Sequence, residues 1–116
     1  VWTAEPSYLV LGMDLEAAVL KMAPYLVHTT VADYVRRPRF RYEPNLVNYT
    51  RETDSIRAVP MGEGFIDYRA FFKTLRKVGY QGSVAYEMCS YLKGGGNEAN
   101  LDRCARQFLG YLKECE

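Results

Sequence analysis

Gly79-Tyr80-Gln81-Gly82-Ser83-Val84-Ala85-Tyr86-Glu87 decides how this chain is read. Two glycines bracket a turn, and the short run behind them has the length and side chains of a strand that ends on a carboxylate. Alternation places Ala85 and Glu87 on one face of that strand and Val84 and Tyr86 on the other. On the N-terminal side of the turn, Tyr68, Phe71, Phe72 and Leu75 recur at helical spacing, while Arg69, Lys73, Arg76 and Lys77 form the wet side. Asp67 stands where a cap accepts first-turn amides, and Gly79 stops the helix. Beyond the strand, Gly94-Gly95-Gly96 leads into a last helix from about Asn97. Leu101, Cys104, Ala105, Phe108 and Leu112 are its expected buried stripe.

Toward the start, Leu15, Ala18, Val19 and Met22 mark a helix over 14–23 capped by Asp14, and Pro24 stops it. Tyr25 to Val31 is β-branched and alternating, a strand with Leu26, His28 and Thr30 on one face and Val27 and Thr29 on the other. Residues 32–66 show no clear period and read as one long loop. They carry Arg36, Arg37, Arg39, Arg41, Arg51 and Arg57 among Tyr34, Phe40, Tyr42 and Tyr49. A connection of that length serves as a lid or a subunit contact more often than as a passive link, so 32–66 is expected to be either a lid or the contact of a homo-oligomer.

The order helix, strand, long loop, helix, strand, helix argues an α/β fold with parallel strands and right-handed crossovers. Two strands cannot cover their own faces, so the sheet is expected to continue in residues outside the chain, and the fragment is not expected to fold stably alone. The spacing suits the end of an α/β barrel, whose chemistry sits where the strand carboxyl ends open onto one face. Glu87 falls there.

Composition narrows the partners. The 116 residues are 48% hydrophobic and 25% charged with a net charge of +1, which gives no reason to expect nucleic acid or a membrane surface as partner. Arginine interleaved with aromatics suits single strands, but Glu43, Glu52 and Asp54 dilute the charge. No apolar stretch approaches the ~20 residues that span a bilayer, and no signal peptide is visible. The chain opens without Met at Val1-Trp2-Thr3-Ala4-Glu5 and is expected to be part of something longer. Cys89, Cys104 and Cys115 lack paired spacing, so the expected compartment is a reducing cytoplasm, with Cys104 in the core. Asn48-Tyr49-Thr50 would accept a glycan only in an exported protein.

Several phrases together resemble the closing segment of the xylose-isomerase-like barrels, the sugar phosphate isomerase/epimerase family. They are Glu5-Pro6-Ser7-Tyr8-Leu9-Val10-Leu11, Ala23-Pro24-Tyr25-Leu26-Val27-His28-Thr29 and Met61-Gly62-Glu63-Gly64-Phe65-Ile66-Asp67-Tyr68, the last running on through Gly79-Tyr80-Gln81-Gly82 to Glu87. The resemblance covers essentially the whole chain. It implies that residues 1–116 are the C-terminal portion of a single (β/α)8 TIM barrel, from the end of strand 6 through helix 8.

The resemblance also implies one divalent metal ion, Mn, Mg, Co or Zn, that polarises a carbonyl and a neighbouring hydroxyl of an open-chain sugar while carboxylates shuttle a proton. Glu87 matches the last metal ligand and acid/base. Glu5 stands where the family has Asp, and Tyr8 where it has a substrate-contacting His. Thr30 aligns with the family's ligand His, which leaves His28, the one histidine of the sequence, as the available imidazole, one layer or roughly 6 to 7 Å deeper along the strand. Metal ligands are therefore expected at Glu5, His28 and Glu87, and substrate contacts at Arg36, Tyr8 and Thr30. Against each stands a plainer role: a core histidine for His28, a terminal residue for Glu5, surface charge for Arg36, and a tight turn for Gly62 and Gly64. For Asp33 the choice is between orienting a ligand and a solvated loop.

The expected activity is isomerisation or epimerisation of a sugar or sugar phosphate. A non-catalytic sugar-binding or protein-interaction member is the second reading, permitted by Thr30 and Tyr8 at histidine positions. A phosphodiester hydrolase of the abasic-site endonuclease kind is third, and a single histidine argues against its metal cluster.

Overall fold

The computed structural model describes residues 12–88 and 91–115, and the backbone of Trp2 and Thr3. Strand β1 spans Trp2–Thr3, helix α1 Leu15–Met22, strand β2 His28–Val31, strands β3 and β4 Asp33–Glu43 and Asn48–Val59, helix α2 Tyr68–Lys77, strand β5 Ser83–Tyr86 and helix α3 Glu98–Glu114.

Each helix begins on the side chain expected of it. Asp14 accepts from Ala17 N at 3.1 Å, Asp67 from Ala70 N at 3.0 Å, and Asn97 from Asn100 N at 3.0 Å. Helix α2 ends at Gly79, whose φ of +69° lets Gly79 N donate to Arg76 O and Tyr80 N to Leu75 O, the double closure of a Schellman motif. Pro24 does not turn the chain straight into a strand. Ala23–Tyr25 forms one turn of 3-10 helix, so β2 starts at His28 rather than at Tyr25.

β1, β2 and β5 form one parallel sheet in that order, as the alternation of helices and strands requires. Val31 is buried with Val19 of α1 and Phe71 of α2, so this side of the sheet meets the helices. His28 and Thr30 lie on the other side by alternation. Tyr68 locks the carboxyl end of β2: its fully buried hydroxyl donates to Ala32 O at 2.7 Å and accepts from Ala32 N at 3.1 Å.

Residues 32–66 are not a structureless loop. β3 and β4 make an antiparallel ribbon from Asp33↔Val59 to Glu43↔Asn48, with a bulge between Arg37 and Arg39. The bulge sets Pro38 where no ladder donor is needed, one of the few places a strand tolerates proline. It also shifts the pairing and so blurs the period of two. The surviving signal was Arg39-Phe40-Arg41-Tyr42-Glu43, charge and ring in strict alternation. In α3 the expected stripe holds only in part. Cys104 and Phe108 are buried and Leu112 is half-buried, but Leu101 and Ala105 are exposed, because nothing described packs on that flank.

Candidate functional site

The carboxyl ends of β2 and β5 lie side by side. Glu87, one residue past β5, donates its backbone N–H to Val31 O at 2.9 Å, which extends the ladder and fixes the backbone beneath its side chain. That side chain is exposed and engaged by no other described residue. Thr30 pairs with Ala85, two residues before Glu87 and on the same face. Its Oγ1 is buried and has no hydrogen-bond partner among the described residues, on the side away from the helices.

His28 does not join them. It pairs with Ser83, four positions and about 13 Å before Glu87 by strand rise. Its Nδ1 is 2.7 Å from Ser83 Oγ. The register therefore does not bring together Glu87 and His28, the pair expected at one metal. The sequence placed each residue on its strand but could not align the two strands. Exchange of His28 for asparagine in the full-length protein is therefore expected to leave kcat within about threefold and stability within about 1 kcal/mol, as judged by steady-state assay and urea melt. Glu5 and Tyr8 lie outside the described residues.

Asp33 is neither solvated nor a ligand's support. It is 1% exposed; Oδ2 accepts from Gly62 N and Gly64 N, both at 2.9 Å, and Oδ1 from Tyr34 N at 3.0 Å. Burial raises its pKa above 3.8, against the pull of those backbone donors. The Gly-x-Gly stretch thus forms a small anion nest whose anion is the chain's own carboxylate, which leaves no phosphate cradle there. Gly64 has no room for a side chain, since a Cβ would fall 1.8 Å from Asp33 Oδ1. Sequence reasoning missed this clasp because its two parts lie about thirty positions apart; the glycine spacing was its visible trace.

Arg36 projects from the base of the ribbon, its guanidinium 4.7 Å from the Phe65 ring centre. It lines an open groove of about 620 Å³ with Arg51, Glu52, Asp54 and Ile56, which belongs to the ribbon and not to the strand ends. Tyr86, on the opposite face from Glu87, stacks on Phe108 at 4.9 Å, and burial pushes its hydroxyl up to about 12. That phenol keeps its proton at neutral pH.

Among the described residues no group of three or more His, Cys, Asp or Glu is placed to hold a metal ion. One carboxylate and one neutral hydroxyl are too few donors, so the described residues do not by themselves fit a metal centre. No described helix is long and apolar enough to cross a membrane.

Parallel strands joined through helices, with a solvent-facing carboxylate at a strand's carboxyl end, define a mixed α/β protein, and in parallel α/β folds ligands bind at that end of the sheet. The family model of the xylose isomerase-like TIM barrel matches residues 7–115. The chain belongs to that family, which includes sugar isomerases and epimerases as well as endonuclease-like members. No curated protein and no solved structure matches it.

Proposed function

We propose that β2 and β5 are the seventh and eighth strands of a (β/α)8 barrel and that the complete protein is a sugar or sugar phosphate isomerase or epimerase. The observation that carries this reading is Glu87: a carboxylate held by its backbone at a strand end, with its side chain exposed and engaged by no other described residue. Such a group removes a proton from the carbon beside a carbonyl and returns it to a neighbouring carbon for isomerisation. Epimerisation needs a second group on the opposite face, and Glu5 is the candidate. Tyr8 and the Thr30 hydroxyl are the candidate substrate contacts beside Glu87; Arg36, expected among them, stands on the ribbon over Phe65, and a guanidinium there would meet only a sugar oxygen or phosphate that extends away from the strand ends. Glu5 and Glu87 are also the chain's candidate ligands for a divalent ion, Mn, Mg, Co or Zn, completed from other strands. The candidates within this chain offer oxygen donors, and the donors from the other strands would set the choice among these ions.

A non-catalytic sugar binder is the second reading, favoured by the absence of imidazole beside Glu87. Incubation of the full-length protein with a panel of aldoses and ketoses in D2O separates the two. Enzyme-dependent deuterium at the carbon next to the carbonyl, seen by NMR, is expected; binding without any label across the panel would leave the binder.

A further inference from the structure

The β3–β4 ribbon has two unlike faces. On one, Arg39, Arg41, Glu43 and Glu52 form a connected set of ion pairs and are content in water. On the other stand Phe40, Tyr42, Tyr49 and Ile56, continued at the tip by Leu46 and Val47, all between 41% and 78% exposed. Tyr42 and Tyr49 face each other edge to face, with ring centres 5.3 Å apart, which confirms that they share a side. An isolated two-stranded ribbon is marginal in water without cover on its apolar face.

We propose that a second copy of this chain supplies that cover, the two ribbons packing apolar face to apolar face across a two-fold axis. The six side chains expose on the order of 600–700 Å². That is close to the ~800 Å² each partner contributes to a stable interface, and just above the ~300–600 Å² of the largest apolar patch on a typical monomer. Charge permits the match. Of the two arginines on this side, Arg51 is paired with Asp54 at 2.8 Å and Arg36 lies over the Phe65 ring at the base of the ribbon, away from the aromatic cluster near the tip. Reach argues against cover from the same chain. Eleven residues of β3 carry the tip roughly 35 Å from the ribbon's base. Further strands of the sheet would join at the open edges of β1 and β5, at the base and not along the outer ribbon. A two-fold pairing is isologous, so one self-complementary patch suffices and the assembly closes at two.

Sedimentation velocity on the full-length protein at micromolar concentration tests this. A dimer is expected for the wild type and for Arg37→Glu on the charged face, with at least a hundredfold rise in Kd for Tyr42→Glu/Tyr49→Glu. Hydrogen exchange on the wild type serves if that double variant fails to fold: the amides of 40–42 and 49–51 should be protected when concentrated and lose protection on dilution. A monomer at all accessible concentrations would overturn the proposal. So would a dimer unaffected by the folded double variant, or ribbon protection that dilution leaves unchanged.

Discussion

Asp33→Ala should cost the full-length protein about 3–5 kcal/mol, because it removes a buried carboxyl group that is the acceptor of three backbone donors at once. Gly62 N, Gly64 N and Tyr34 N all end on this one carboxyl group. Set against a typical total of about 5–15 kcal/mol, that loss puts the fold near its threshold. Urea melts of variant and wild type measure it. Gly64→Ala attacks the same clasp from the other side, since its Cβ would meet Asp33 Oδ1 at 1.8 Å and Tyr34 N at 2.7 Å. A comparable loss is expected, and a loss below about 1 kcal/mol in both variants would show that the clasp does not hold the loop. The pH dependence follows from the raised pKa. The folded state binds the Asp33 proton more tightly than the unfolded state does, so this contribution is full below 3.8 and lost as pH rises through the folded value. Relative to Asp33→Asn, the wild type should therefore hold its largest advantage in acid and a smaller one at neutral pH.

Glu87→Gln is expected to lower kcat of the full-length protein by about 10²–10⁴-fold or more, the scale of a lost acid/base group. Stability should barely change. The side chain is exposed and engaged by no other described residue, and the backbone N–H that bonds Val31 O is kept in the variant. The contrast is the diagnostic point: full folding by circular dichroism with turnover gone is the signature of a reacting carboxylate. Wild-type turnover in a folded Glu87→Gln protein would remove Glu87 from the chemistry.

These two residues also show where sequence reading succeeds and where it stops. Glu87 was legible because its surroundings are local: a capped amphipathic helix, a glycine closure and a short strand, each set by neighbours within a few positions. Asp33 was not, since its role depends on amides of Gly62 and Gly64 that only the ribbon's return brings back to it. The ribbon itself escaped because Pro38 and the bulge break the alternation that marks strands. His28 was read on the correct strand and face, but its distance from Glu87 depends on a register that neither strand encodes alone.

From the sequence came the helices, their caps, the parallel α/β class and the carboxylate at the last strand's end, all consequences of side-chain periodicity and backbone preference over short range. The three-dimensional arrangement alone decided that the histidine stands apart from the glutamate, that the glycine loop closes on an internal aspartate, and that the arginine-rich stretch is a two-faced ribbon. Those outcomes turn on strand alignment and on pairings between distant segments, where hydrogen-bond geometry and packing select one partner from many that are chemically equivalent.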